Sequence, residues 1–281
     1  LQIVLPGFNT YLCMFIGVTI AVAYTAFAGM KGASIVGRVV CIATYVLLGW
    51  FIFTNIGDFG GYSGLIAQLP KGYDQLSAMS TQQIVAWMIG GILTSIVLQS
   101  ALQPVLAAKS DKAATWGCDL GYVIAGPICI LTAIIGMMAR AKTDGLGDGA
   151  TAFAWAIKDM SSPVMAGIIF AVMTMIIAAT LATMMMATGT IVTNVYKKQI
   201  NPKADEKKLL TMSRLGTVAV AYVSLLLGFF IPSAQMTNMF LTVNYVVTAP
   251  FSFSVLAGMF WKKANAKGSF WSIVAGIVVA L

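Results

Sequence analysis

The first candidate for chemistry is a row of hydroxyl side chains in the uncharged stretch MIIAATLATMMMATGTIVTNVY, residues 175–196. Thr180 and Thr183 lie three residues apart, so on a helix they share a face. Hydroxyl and carbonyl oxygens are hard ligands, which suit a small cation such as Na⁺. A threonine in an apolar helix can instead donate to the carbonyl four residues earlier. The sequence leaves both interpretations open.

A second polar group lies in the stretch SIVLQSALQPVLAAKS, residues 95–110. Gln99 and Gln103 are four residues apart and share a helical face. Pro104 cannot donate to the carbonyl of Ser100, so we expect a kink whose freed carbonyls can face a cavity. The alternative is that the glutamines bond to neighbouring helices.

A third polar group, Thr242, Asn244 and Tyr245, precedes Pro250 in an apolar run. Polar residues followed by a helix-breaking residue are typical of a discontinuous helix that faces a cavity.

Other kinds of chemistry are missing. There is no histidine, which excludes a Ser–His dyad or an HExxH zinc site from this stretch of chain. No Asp, Glu or Lys lies mid-run in an apolar segment, where proton pumps and antiporters usually carry one. We therefore predict no catalytic residues and no enzyme activity. The groups that remain to bind a solute are hydroxyls, amides and backbone carbonyls.

Composition sets the class of protein that must position these groups. Of the 281 residues, 59% are apolar and only 9% charged, against about 25% charged in soluble domains. The sequence therefore predicts an all-α polytopic membrane protein whose partner is the lipid bilayer. The net charge of +8 is not taken as a sign of nucleic-acid binding, because basic residues collect in cytoplasmic loops of membrane proteins.

Eight apolar segments predict about eight transmembrane helices, named A to H. Their expected ranges are A Tyr11–Gly29, B Ser34–Phe53, C Ile84–Leu102, D Leu120–Ala139, E Val164–Tyr196, F Leu210–Phe230, G Asn238–Trp261, and H from Ser269 onward.

The loops A–B, C–D, E–F and G–H hold most of the 17 basic residues. This alternation predicts that these four loops are cytoplasmic and that the protein is a multi-pass protein of the plasma or bacterial inner membrane. The B–C and D–E loops are long, and each is either a plain connector or the site of a short interfacial helix.

Four stretches, read together, resemble the sodium:solute symporter family. They are AYTAFAGMKGASIVGRVV, LQSALQPVLAAKSDKAATWG, ATLATMMMATGTIVTNVYKK and GMFWKKANAKGSFWSIVAG, in the family's order. The resemblance implies an inverted-repeat transporter bundle of five plus five core helices. Helices A to H would then be core helices four to eleven of one transporter domain, residues 1–281, incomplete at both ends and lacking core helices one to three.

The resemblance also implies an ion site on helix E. The family's sodium site uses two adjacent hydroxyls and a nearby carbonyl, and these fall on Ala179, Thr180 and the carbonyl of Ile176. Thr183 is the neighbouring hydroxyl on the same face. One hydroxyl is therefore replaced, and one Na⁺ is expected as the cofactor. An aspartate tied to a further ion in some members falls on Gly37, which argues against a second ion.

The solute site implied by the resemblance lies on helices C and G. The positions of the gate residues of sugar-transporting members fall on Leu98 and Ser100, and Gln99 between them is retained. A polar contact of the tenth core helix falls on Thr242. Because Leu98 and Ser100 replace the sugar-type gate, a sugar is disfavoured as the substrate.

The sequence thus predicts a secondary transporter that carries a small organic solute with Na⁺ by alternating access. The alternative is a sensor or regulatory membrane subunit that keeps the transporter fold but has lost ion coupling, which the replacements at Ala179 and Gly37 motivate. Neither the solute nor the oligomeric state follows from the sequence.

Overall fold

The structure is a computed structural model that describes residues 7–73, 75, 80–143, 145–146, 149–231, 239, 242–243 and 248–280. Its regular elements are helices. They are α1 Thr10–Asn55, α2 Gly61–Gln68, α3 Thr81–Val97, α4 Gln99–Leu106, α5 Asp111–Lys142, α6 Ala152–Met160, α7 Pro163–Val195, α8 Glu206–Gly228, α9 Ala249–Phe260 and α10 Ala266–Ala280. The prediction of an all-α fold is confirmed.

Helix α1 corrects the predicted boundary between helices A and B. It is one helix of 46 residues, about 69 Å long at 1.5 Å per residue. Nothing in the sequence ends it, because it contains no proline and a glycine costs a helix only about 1 kcal/mol. The predicted A–B loop is therefore wrong. Arg38 lies on the helix, where its Nε donates to the Ser34 carbonyl at 3.3 Å.

The chain divides into two compact units, each made of two segments. Unit 1 contains Leu1–Pro70 and Cys118–Phe230, and unit 2 contains Lys71–Gly117 and Ile231–Leu281. The prediction of one transporter domain over residues 1–281 stays a prediction.

In unit 1, α7 packs against both α1 and α8. The bounds of α7 agree with those predicted for helix E within one residue. Ser162 begins the helix, because its hydroxyl accepts the Met165 N–H at 3.4 Å and Pro163 takes the first position. The 33 residues of α7 span about 50 Å, and a π-helical turn, Tyr196–Ile200, follows.

The two long loops predicted between helices B and C and between helices D and E contain short helices, α2 and α6. Both contribute to the main buried apolar cluster of unit 1: Leu65 of α2 and Ala156 and Ile157 of α6 are fully buried beside side chains of α1, α5 and α7. They therefore pack into the core of unit 1, and neither is a plain connector. The first turn of α2 requires glycine at Gly64, since a Cβ there would clash with the Phe59 carbonyl oxygen.

In unit 2, α9 packs against α3 and α10. The α9–α10 pair is joined by a hydrogen bond from the Ser254 hydroxyl to the Ser269 carbonyl, at 3.2 Å. A Cβ at Gly276 would lie 2.7 Å from the Pro250 Cβ, so the two helices approach closely where that side chain is absent.

Four helical stretches are long and apolar enough to cross a bilayer, and four shorter apolar stretches accompany them among the described residues. The stretch Tyr11–Thr25 and most of the stretch Ser34–Phe59 belong to the one helix α1. The long stretches are Ser34–Phe59, Asp111–Lys142, Pro163–Ile200 and Glu206–Gly228, and the shorter ones are Tyr11–Thr25, Thr81–Val97, Pro250–Phe260 and Ala266–Val279. These stretches coincide with the eight predicted segments and support a polytopic membrane protein, although eight separate spans are not established.

The crossing of α7 and α8 generates a stability prediction. A Cβ at Gly189 would lie 2.6 Å from the Ser213 Oγ and 2.8 Å from the Thr217 Oγ1. We expect Gly189→Ala to lower the free energy of unfolding of the full-length protein by about 1–3 kcal/mol, because the added methyl forces the helices apart. The measurement is the thermal unfolding midpoint in detergent.

Gly167→Ala is the matched control, because Gly167 lies on the same helix with open space at its Cβ position. Alanine is the better helix former, so this variant should unfold at or slightly above the parent midpoint. Equal midpoints for the two variants would contradict the packing described for Gly189.

Candidate functional site: a threonine face and a broken helix

The predicted ion residues lie on two successive turns of α7. The Thr180 hydroxyl donates to the Ile176 carbonyl at 3.0 Å, and the Thr183 hydroxyl donates to the Thr180 carbonyl at 2.8 Å. Ala179 and Thr183 are half-buried, while Thr180 is exposed. The geometry is thus the backbone-bonded arrangement that the sequence left open as an alternative.

In this arrangement the threonine hydroxyl oxygens can still bind a cation. A hydroxyl that donates its proton still has two lone pairs, so the Thr180 oxygen can accept a cation while its O–H stays on the Ile176 carbonyl. Helix α7 has no charged side chain between Pro163 and Val195. Among the described residues, no three His, Cys, Asp or Glu side chains cluster as a metal site. An ion bound to these residues of α7 would be held by neutral oxygens.

The predicted solute residues lie where a helix is interrupted. Helix α3 ends at Val97 and α4 begins at Gln99, with Leu98 between them in an extended conformation, φ −65° and ψ 107°. The Ala101 N–H donates to the Leu98 carbonyl at 2.9 Å, where an unbroken helix would direct it to Val97. Helix C was predicted as one segment from Ile84 to Leu102, and the break at Leu98 shows that this continuity is wrong. The expected kink at Pro104, which lies inside α4, stays a prediction.

The interruption has a chemical consequence. The carboxyl end of one helix and the amino end of the next meet at Leu98, and each helix end leaves backbone groups without helical partners. No side chain caps the start of α4. Broken helices in transporters place such groups at a cavity, where they bind polar solutes and ions. Leu98, Gln99 and Ser100 therefore occupy a position suited to a solute.

Helix G can be followed only in part. Thr242 lies in a described helical stretch of two residues and is exposed. Asn244 and Tyr245 lie outside the described residues. The structure thus places the ion residues in unit 1 and Leu98, Gln99, Ser100 and Thr242 in unit 2.

The sequence analysis missed the polar contacts of α8 with α7 and with α1. The Thr217 hydroxyl of α8 is buried and donates to the Met185 carbonyl of α7 at 3.3 Å. On α1, the Thr19 hydroxyl lies 3.3 Å from the Tyr222 hydroxyl of α8. The spacing of Ser213 and Thr217, four residues apart on one face of α8, is a signal that could have pointed to this close crossing.

Fold and composition together define a class: an all-helical, multi-pass membrane protein whose apolar helices carry neutral polar groups. A profile of the sodium:solute symporter family matches residues 2–276. The chain belongs to the sodium:solute symporter family, whose members are transporters and not enzymes.

Several characterised proteins are similar to this chain. The sodium/glucose cotransporter of Vibrio parahaemolyticus is 25% identical over 93% of this chain and 54% of its own length. The osmoregulated proline transporter of Bacillus subtilis is 23% identical over 98% of this chain and 57% of its own length. Human sodium/myo-inositol cotransporter 2 is 26% identical over 41% of this chain and 18% of its own. The chain spans about half the length of the first two relatives.

The broken helix predicts local hydrogen exchange. In the full-length protein in lipid nanodiscs, we expect amides of residues 97–101 to exchange on the order of tenfold faster than those of residues 176–183, because the interruption removes helical hydrogen bonds. Exchange mass spectrometry compares the two peptides within one sample, and the unbroken α7 peptide is the control. Equal protection of both peptides would contradict a hydrated break at Leu98.

Proposed function

We propose that the full-length protein is a Na⁺-coupled symporter that carries a small organic solute across the membrane by alternating access. The observation that carries this proposal is the interruption of the α3–α4 helix at Leu98, in a segment without charged side chains. An opened backbone in an apolar helix is stable only where it faces protein or a water-filled cavity. Membership of the sodium:solute symporter family supports the same function.

One sodium ion is proposed on α7. Its ligands are the Thr180 hydroxyl and the Ile176 carbonyl, with Thr183 beside them and Ala179 at the position where a second hydroxyl would lie. Oxygen ligands of this kind suit a hard monovalent cation. The coupled gradient supplies about 2.3 kcal/mol per charge per 100 mV to the transport step.

The solute is proposed to contact Gln99, Ser100 and Thr242, with Leu98 beside them. Leu98 offers no hydrogen bond and Ser100 no aromatic ring, so the site favours a solute with fewer hydroxyl groups than a sugar. The names of the relatives specify glucose, myo-inositol and proline, which makes these three compounds the first to test.

The membrane is proposed to be the plasma membrane or the bacterial inner membrane. The loops C–D, E–F and G–H are proposed to be cytoplasmic, since they hold most of the chain's lysines and basic residues collect in cytoplasmic loops.

Uptake by the full-length protein in proteoliposomes tests the proposal. We expect accumulation of at least one solute of the panel when Na⁺ is outside, and none when choline replaces it. In the same assay, Thr180→Val should raise the half-saturating Na⁺ concentration roughly tenfold, because an oxygen bonded to a charged group contributes about 1.5–3 kcal/mol. Ala179→Ser should lower it, because it adds a hydroxyl beside Thr180.

The matched control is Thr188→Val. The Thr188 hydroxyl also donates to its own helix, to the Met184 carbonyl at 3.1 Å, but it lies two turns from the proposed site. This variant should keep the parent Na⁺ dependence. Equal shifts of the half-saturating Na⁺ concentration in Thr180→Val and Thr188→Val would contradict an ion site at Thr180. Na⁺-independent behaviour of the parent would favour the sensor or regulatory alternative.

A further inference from the structure

A small cavity lies in unit 2 where α9 turns into α10. Its volume is about 140 Å³, well above the roughly 10–15 Å³ of cavity that one water molecule needs. Helix α9 and its end supply Phe253, Ala257 and Trp261 to the wall, and the turn and α10 supply Lys263 and Ser272. The cavity therefore has an apolar side and a cationic, hydroxyl-bearing side.

The charge at this cavity is not compensated along the chain. Lys262, Lys263 and Lys267 lie within six residues, and no Asp or Glu occurs from Lys207 to Leu281. Within the described part of the chain, Lys263 takes part in no salt bridge. An anionic group is the ligand that complements such a site, since each lysine near an anionic surface contributes attraction of about 1 kcal/mol.

The surroundings of the cavity distinguish a lipid from a free anion. Phe253, Met259 and Phe260 of α9 are exposed by 59%, 69% and 79% of their surface, so an apolar medium must cover this helix. Trp261, also exposed, ends α9 beside the lysines. Tryptophan and lysine next to an apolar helix are typical of the headgroup level of a bilayer.

We propose that this cavity binds the headgroup of an anionic phospholipid. The phosphate lies beside Lys263 and the hydroxyl of Ser272, and an acyl chain follows the apolar surface of α9 past Ala257 and Phe253. The proposal does not depend on the transported solute or on Na⁺ coupling, because it concerns residues outside the candidate transport site.

Native mass spectrometry of the full-length protein, titrated with phosphatidylglycerol in detergent, tests this site. Lys263→Gln should weaken phosphatidylglycerol binding about fivefold, the factor that corresponds to one lysine at the headgroup, and Lys263→Arg should retain it. Ala257→Leu, which fills the cavity, should weaken binding without a change in charge. Phosphatidylcholine should bind more weakly to the parent and respond little to Lys263→Gln.

Lys262→Gln is the matched control, because Lys262 carries the same charge one residue away but does not line the cavity. We expect it to leave binding close to that of the parent. Equal losses in Lys262→Gln and Lys263→Gln would overturn the proposal in favour of diffuse surface attraction. Displacement of the lipid by millimolar inorganic phosphate would overturn it in favour of a free-anion site, and unchanged binding in Lys263→Gln would overturn it outright.

Discussion

The absence of charge from the helices that carry the candidate site governs the rest of the structure. Helices α3, α4 and α7 contain no acidic or basic side chain, which keeps a costly ion out of the hydrocarbon. The threonine hydroxyls of α7 bond within their own helix, as the Thr180 hydroxyl does to the Ile176 carbonyl at 3.0 Å. Under the proposed function, dipoles bind the cation and the solute, and those dipoles come from hydroxyls or from a helix that opens, as at Leu98.

Close packing between helices fixes the position of α7, which carries Thr180 and Thr183. Helices α7 and α8 approach where Gly189 meets Ser213 and Thr217, and where Gly216 meets Val192. In a membrane there is little hydrophobic drive between helices, so small residues and hydrogen bonds hold such contacts. The buried Thr217–Met185 hydrogen bond then fixes α7 two residues beyond Thr183. The ion-binding candidates thus lie on a helix whose position is set by neighbours that carry no ion ligand.

The apolar segments that form helices could be predicted from the sequence, but the positions at which the helical backbone breaks could not. The apolar length of helix E predicted α7 within one residue, because Ser162 and Pro163 are strong start signals. Helices A and B were predicted as separate segments, Tyr11–Gly29 and Ser34–Phe53, but the glycines between them lower helix stability without ending a helix, so α1 continues to Asn55. A kink in helix C was expected at Pro104 from its missing N–H. The break occurs at Leu98, which has no such signature, and this position depends on tertiary context.

The site itself was predicted in unequal parts. Thr180 and Thr183 stood out from their spacing alone, whereas Ile176 and Ala179 came only from the family resemblance, because a carbonyl and a methyl carry no sequence signal. Leu98 was singled out only by its place in the family pattern, yet it marks the helix break. The contacts of Thr217 and Thr19 were missed, since the Ser213–Thr217 spacing marks only a polar face of α8 and a hydroxyl in an apolar helix does not reveal its partner.

The central claim is that neutral oxygens hold the cation, and the pH dependence of radioactive Na⁺ binding to the full-length protein tests it most directly. The account predicts saturable binding of one Na⁺ per chain, with an affinity that stays constant between about pH 5.5 and pH 8.5, because hydroxyls and carbonyls do not titrate there. An affinity that falls steeply toward the acid end of that range would identify a titratable ligand such as a carboxylate, and would contradict the account.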